Sequence, residues 1–385
     1  MRQIAFHRPF ATGDEIGRIA DAIERGVAGN GWYSQRCSHT LGSMTGAAHT
    51  LLTTSCTSAL EMAASLLDIG PGDEVIMPSF TFVSMANAFV LRGARPVFVD
   101  IRPDTLNLDE RLVEAAITPR TKALVVVHYA GVACEMDRLI ELAAAHGLGL
   151  VEDTAHGLGA TYRGRPLGSM GDLATLSFHH TKAIQCGEGG ALLVNRDDLA
   201  PRAEIIREHG TNRGQFMRGE VDRYSWVDVG SSHVPAELLA AFLDAQLEHF
   251  EAIQARRTSL WNRYRDELGG WAEAHDIALP TVPTHCEHPA HQFHVLVARP
   301  ADRPAFIDHL AGHSVHATFH YVPLHSSPTG RRLGGDGHPL PHTDDLSARL
   351  VRLPLYPDLT DDEQSRVIAA ATGFEPAFST GSTPD

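Results

Sequence analysis

A chain of 385 residues, 43% of them apolar and 34 of them glycine, reads as an ordinary α/β protein of roughly two folded units. Its 32 basic residues stand against 47 acidic ones, and no basic stripe offsets the net charge of −15, which argues against nucleic acid or an anionic membrane as a main partner. The start Met1-Arg-Gln-Ile has no apolar signal core, and no run approaches the ~18–20 apolar residues of a membrane span. The five scattered cysteines form no CxxC pair, so the expectation is a reduced, cytoplasmic protein without disulfides or structural zinc.

In chain order, an amphipathic helix is predicted over 14–25, then a Gly- and Ser-rich loop over 29–46. Strand and helix alternate from there. Strands are predicted at 49–53, 74–77, 96–100, 123–128 and 148–152, with helices at 59–67, 83–91, 110–116 and 136–146 between them. Runs 173–178 and 191–195 complete seven candidate strands. The unbroken apolar run 123–128 suits a strand buried on both faces. Such alternation implies a mostly parallel sheet covered by helices, with ligands off the carboxyl ends of the strands.

Beyond Asn195 the texture changes. The pattern predicts a helix over 199–209, a polar Arg/Gly loop over 210–223 and a long helix from 236 to about 268. A strand over 293–298, a helix over 304–313, the segment 315–325 and a last helix over 361–371 follow. The expected organisation is a large domain over 1–250, a smaller α+β domain over 251–375 and a disordered tail over 376–385.

Lys182 draws attention first, because the chain has only two lysines. It follows the apolar run 173–178 and Ser177-Phe-His-His-Thr, and it precedes the glycine hinge Gly187-Glu-Gly-Gly190. A strand ending in small polar groups and delivering one amine into a flexible loop suits covalent amine chemistry, since lysine attacks carbonyls and shifts readily in pKa on burial. Most lysines are solvated surface groups, but rarity and the Ser/His/Thr neighbours favour a functional one here.

Three more features sit at predicted strand ends. Ser55-Cys-Thr-Ser58 opens a helix; its amides and hydroxyls suit a phosphate, and equally an ordinary N-cap by Thr57 or Ser58. Phe82 can cover a flat ring or fill a core. Asp153 ends a strand, where a carboxylate can keep a ring nitrogen protonated or can cap the next turn. A phosphate cradle, a ring cover, an anion and an amine together describe a site for pyridoxal 5′-phosphate. A rival lies in His313, His316 and His320, spaced i, i+3, i+7, with His325 following. Thr318-Phe-His-Tyr-Val-Pro323 breaks a helix there and the chain has 23 histidines, so no metal site is expected. Gly187-Glu-Gly-Gly190 does not match GxGxxG.

Pro71-Gly-Asp-Glu-Val-Ile-Met-Pro-Ser-Phe-Thr-Phe-Val83, Val151-Glu-Asp-Thr-Ala-His-Gly157, Ser177-Phe-His-His-Thr-Lys182 and Gly187-Glu-Gly-Gly-Ala191 resemble the DegT/DnrJ/StrS family of sugar aminotransferases. The likeness runs from about residue 3 to 372. It implies a pyridoxal-phosphate enzyme of fold type I, with a mixed, mostly parallel seven-stranded sheet in the large domain. Ser55-Cys-Thr-Ser-Ala-Leu-Glu-Met-Ala-Ala64, Phe89-Val-Leu-Arg-Gly-Ala94, Val127-His-Tyr-Ala-Gly-Val-Ala-Cys-Glu-Met-Asp137 and Glu204-Ile-Ile-Arg-Glu-His-Gly-Thr-Asn-Arg213 resemble the branch that aminates carbon 4 of dTDP-4-keto-6-deoxyglucose.

By that resemblance, Lys182 corresponds to the Schiff-base lysine and Asp153 to the partner of the pyridinium nitrogen. Thr57, Ser58 and Ser177 correspond to phosphate contacts, and Phe82 to the aromatic on the cofactor ring. His156 stands where the family usually has Gln near the phenolic oxygen, and Ser232 aligns with an Asn that reaches the partner subunit's phosphate. His320, Tyr321 and His325 align with a segment lining the sugar side. The resemblance further implies a homodimer with shared sites, an amino-acid donor such as glutamate, and a dTDP-4-amino-4,6-dideoxyhexose as product. The alternatives are amination at carbon 3, a family dehydratase, in whose known branch His replaces the lysine, and a non-catalytic protein that kept the fold.

Overall fold

A computed structural model describes residues 2–335 and 339–376; of the expected tail, 377–385 lie outside the described residues. Helices α1 (Glu15–Arg25) and α2 (Trp32–Thr45) precede a strand–helix succession. It runs β1 (His49–Thr53), α3 (Cys56–Leu66), β2 (Glu74–Pro78), α4 (Val83–Val90), β3 (Arg95–Val99), α5 (Glu110–Ala116), β4 (Thr121–Val127), α6 (Met136–His146) and β5 (Gly149–Asp153). The short pair β6 (Thr161–Tyr162) and β7 (Arg165–Pro166) leads to β8 (Leu173–Ser177) and β9 (Gly190–Val194). Helices α7 (Ala200–Arg207), α8 (Arg213–Met217), α9 (Glu237–Glu248) and α10 (Phe250–Ala274) follow.

Seven strands form one sheet in the order β1-β9-β8-β5-β4-β2-β3. All neighbours pair in parallel from β8 to β3, and β9 runs antiparallel to both β1 and β8. β1, β2, β4, β5 and β8 therefore end at the same edge, while β9 begins there. β2 is buried at every position, and β4 over Ala123–Val127, so these strands read as continuous apolar runs. Their side chains feed two cores, one on each face: Val75, Met77 and Val125 pack under α3 and α4, while Ile76, Leu124 and Val126 pack against α6.

A further core gathers around α10. Leu260, Trp261, Tyr264 and Leu268 pack with β11 (Phe293–Leu296), α11 (Asp302–Gly312), β12 (Leu350–Leu353) and the last helix, α12 (Asp361–Thr372). β11 and β12 pair antiparallel, with His294 opposite Arg352. β10 (Cys286–Glu287) reaches back to β6.

Three local expectations change. Residues 29–46 hold a helix, α2, whose Tyr33, Cys37 and Leu41 recur every four residues and bury under α9. The long helix from 236 is two helices that part at His249. Short α8 occupies part of the 210–223 loop. Among the described residues no helix is long and apolar enough to cross a membrane.

Candidate active site

The turn from β1 into α3 is built for an anion. Ser55 is extended and its Oγ accepts the Ser58 amide at 3.1 Å, so Ser55, rather than Thr57 or Ser58, is the N-cap. Thr54 and Ser58 share a hydroxyl–hydroxyl bond of 2.7 Å, and Thr57 donates to Ser84 at 2.8 Å. Four hydroxyls thus surround a helix start whose amides carry partial positive charge. Gly190 pairs with Thr53 on one side and Ser177 on the other, which puts Ser177 beside this turn. A Cβ on Gly190 would lie 2.4 Å from Cys56 N and from Ser55 C, so only glycine allows β9 so close.

Asp153 ends β5, opposite Val127 of β4 and Thr175 of β8. It is 6% exposed, and its Oδ1 accepts the Ala155 amide at 2.9 Å. Burial raises its pKa above the ordinary range, against the pull of that amide and of the Lys182 charge. Its neighbour Glu152 anchors the surroundings. It takes His128 Nε2 at 3.0 Å and the amides of Gly168, Met170 and Gly171 at 3.1, 2.8 and 2.6 Å. Burial alone would raise its pKa, but these donors outweigh burial and hold it low.

The loop after β8 carries Lys182. It is less free than glycine content suggests, because main-chain bonds close it: Phe178 N to Gly189 O (2.8 Å), His180 N to Gly187 O (2.8 Å) and Cys186 N to Phe178 O (2.9 Å). Gly187, at φ 81°, makes that closure possible. The N-terminal segment straps it from outside, with His7 Nε2 bonded to His180 O at 2.7 Å and Gln185 Nε2 donating to Phe10 O at 3.1 Å. Lys182 is half-buried, and among the described residues its amine has no hydrogen bond or ion pair. Burial lowers its pKa, while Cys56 and Asp153 act the other way.

Aromatic and imidazole rings form the opposite wall. His156 is buried and its Nδ1 accepts the Ala130 amide at 3.3 Å, a bond that assigns the ring hydrogen to Nε2. His291 stacks on it. His320 Nδ1 bonds Tyr129 Oη at 3.1 Å. Tyr321 contacts Phe80, Phe82 and Tyr129 at centroid distances of 5.6, 6.3 and 6.2 Å. Phe82, N-cap of α4 and 59% exposed, leaves its ring free to be covered or to cover.

The structure thus gathers Thr57, Ser58, Ser177, Asp153, Lys182, His156, His320 and Tyr321 around one strand edge, with Phe82 at its rim. His325 meets this edge only through Ser79, just past the end of β2, bonding its Oγ at 2.7 Å, and its Nε2 pairs with Asp344 at 3.3 Å. Ser232 is exposed and bridges to Glu208, and the carbonyl of the next residue, His233, accepts the Thr54 amide at 2.9 Å, which puts Ser232 one residue from the β1–α3 turn. His313 bonds His309 O, and among the described residues no cluster of metal-ligating side chains forms. Residue spacing did not point to Tyr129, His291 or Arg352, which complete the wall. Arg352 had one local signal: it interrupts the apolar run Leu350–Leu353.

These groups fit pyridoxal 5′-phosphate. The α3 start and its hydroxyls offer a phosphate cradle, Asp153 keeps an oxygen beyond its one amide bond for a ring nitrogen, and Lys182 has an amine without a partner.

Known proteins agree. An uncharacterized protein MJ1066 of Methanocaldococcus jannaschii is 31% identical over 370 residues, spanning 94% of this chain and 95% of its own. The structure of an aminotransferase TlmJ from Streptoalloteichus hindustanus matches at TM-score 0.89 and 28% identity, over 96% of this chain and 98% of that one. The PLP form of a putative sugar aminotransferase, Spr1654 from Streptococcus pneumoniae, matches at TM-score 0.88 and 27% identity, again over 96% and 98%. The fold is that of PLP-dependent aminotransferases, and pyridoxal 5′-phosphate is the cofactor. A family model covers residues 10–372, and on that match the chain belongs to the DegT/DnrJ/EryC1/StrS aminotransferase family.

Proposed function

We propose that the chain transfers the amino group of L-glutamate to carbon 4 of dTDP-4-keto-6-deoxy-D-glucose, giving a dTDP-4-amino-4,6-dideoxyhexose. The observation that carries the amino-transfer part is the convergence of a buried Asp153, a half-buried Lys182 without a partner and the hydroxyl-rich α3 start on one strand edge. The sugar part is supported by the family match and by the name of the pneumococcal relative, and the carbon-4 part by the segment likenesses alone.

When bound, pyridoxal 5′-phosphate supplies the electron sink that makes a carbon-bound proton removable. Lys182 Nζ, held below the ordinary lysine range by burial, takes that proton from the donor's α-carbon and returns one at the sugar carbon. Asp153 Oδ2 keeps a ring nitrogen protonated by its negative charge. His156, whose Nδ1 accepts the Ala130 amide, would offer its Nε2 hydrogen to the phenolic oxygen, where the resemblance has Gln. Thr57, Ser58 and Ser177 would hold the phosphate, and Phe82 would cover the ring. His320, Tyr321 and His325 belong to the sugar side in this reading, His325 through its hold on Ser79.

The working unit is a homodimer of chains folded as a large domain over 1–250 and a small one over 251–375. Exposed Met217, Tyr224, Trp226 and Val229 give the apolar surface a partner would cover, and Ser232 follows them toward the partner's phosphate. Five free cysteines suit the reducing cytoplasm. The deciding experiment incubates the enzyme with L-glutamate and dTDP-4-keto-6-deoxyglucose and analyses the product by NMR. Nitrogen on carbon 4 is expected; nitrogen on carbon 3, or loss of a hydroxyl without amination, contradicts the proposal.

A further inference from the structure

The N-terminal strap is anchored at both ends and meets the loop of Lys182 between them. Ile4 sits in the α10 core and pairs with the segment after α11: Ile4 N donates to Ser314 O at 2.9 Å, and His316 N donates to Ile4 O at 3.0 Å. Arg2 O accepts Arg366 Nη2 of α12 at 3.0 Å, and Arg8 lies over the Tyr356 ring and 3.5 Å from Glu363. At the other end Phe10 packs against the core under α9. Its carbonyl accepts Gln185 Nε2 at 3.1 Å and Gln246 Nε2 at 3.0 Å.

His7 stands between these anchors. Its Nε2 donates to His180 O at 2.7 Å, and since a carbonyl only accepts, the ring hydrogen belongs on Nε2. Burial lowers the His7 pKa to about 4, against the pull of this bond, so the ring is neutral near pH 7. Main-chain bonds inside the loop join Phe178 to Cys186 and Gly189, His180 N to Gly187 O, and Lys182 N to His179 O at 2.8 Å. Among the described residues they leave the His180 carbonyl to His7. That carbonyl belongs to the peptide unit joining His180 to Thr181, one residue ahead of Lys182. The Lys182 amine has no bond of its own among the described residues, so its direction comes from this backbone.

Resting on the amino-transfer reading above, we propose that His7 is a positioning residue for Lys182. Through the His180 carbonyl it fixes the peptide unit that aims the amine, and the strap that seats it ties that aim to the α10 core. Without the bond the peptide unit is free to rotate toward water, and the amine moves with it. A proton is passed only at hydrogen-bond reach, so a small displacement of Nζ slows transfer while the surfaces that bind the donor stay in place. The loss therefore falls on rate and spares affinity.

The test compares His7→Phe, which keeps a ring and removes the donor, with His7→Gln, whose amide reaches as far as Nε2. In the holoenzyme, the limiting rate at which L-glutamate bleaches the visible band should fall on the order of tenfold in His7→Phe, with the half-saturating concentration unchanged. His7→Gln should recover most of that rate. His7→Asn, too short to reach His180 O, should match the Phe variant and serves if that one misfolds. In the cofactor-free protein, amide hydrogen exchange over 179–187 should quicken in His7→Phe and return toward wild type in His7→Gln. The proposal is overturned if His7→Phe bleaches at the wild-type rate, if only the half-saturating concentration changes, or if His7→Gln is as slow as His7→Phe. A wild-type band that no amino acid changes would remove the amino-transfer reading. The exchange measurement needs no turnover and then decides alone whether His7 holds the loop: equal exchange in wild type and His7→Phe overturns it.

Discussion

The imidazoles of His156 and His291 stack with centroids 4.2 Å apart and planes inclined by 17°. Both rings are buried, and Arg257 holds His291 from behind through its carbonyl. Burial pushes both well below the ordinary histidine value of 6.5, and the mutual proximity of the rings lowers His291 further. Two neutral rings can stack; two imidazolium ions cannot do so cheaply.

A pH dependence follows. Because the native pKa values are depressed, the unfolded chain binds more protons below pH 6.5 than the native one. Stability is therefore complete above about pH 6.5 and is lost as pH falls toward the native values, each ring adding a slope of up to about 1.4 kcal/mol per pH unit. Thermal unfolding of the cofactor-free protein should show a lower Tm at pH 5 than at pH 7.5, and His291→Phe should reduce the difference. An equal or higher Tm at pH 5 would refute this.

Glu152 ties His128 to three amides of the turn before β8. Glu152→Ala would strand all four donors. The expected cost is about 3–5 kcal/mol, seen as a lower urea midpoint, with Glu152→Gln losing less. A midpoint unchanged in Glu152→Ala would show that the network contributes little.

Gly190→Ala tests the tight approach of β9 to the α3 start. Since the added Cβ meets main chain at 2.4 Å rather than a side-chain tip, the turn must shift. Cofactor affinity should fall at least on the order of tenfold by absorbance titration, consistent with loss of about 1.4 kcal/mol or more. Gly17→Ala, where nothing lies within 4 Å in exposed α1, should leave affinity unchanged. Equal behaviour of the two variants would count against a backbone cradle.

Much of this architecture was legible in the residues because strands buried on both faces write unbroken apolar runs, and because the site uses their ends. Asp153, Ser177 and Lys182 lie near strand termini that period alone locates. Helix α2 was misread as a loop since glycine and serine are local signals, whereas Tyr33, Cys37 and Leu41 form a stripe visible only once α9 covers it. The break at His249 leaves almost no mark on the apolar pattern. The wall of Tyr129, His291 and Arg352 was hidden for another reason. These residues come from distant segments, and only the pairing of β11 with β12 and the packing of Leu296 and Leu350 against Tyr129 and Ala130, just past the end of β4, bring them together.

Amino transfer through Lys182 is most directly tested by the absorbance of purified holoenzyme before and after L-glutamate, with Lys182→Ala alongside. A visible band near roughly 410–430 nm should bleach on adding L-glutamate in the wild type, and the variant should not turn over. A wild-type band that L-glutamate and every other amino acid leave unchanged, or a Lys182→Ala protein that turns over at the wild-type rate, would contradict it.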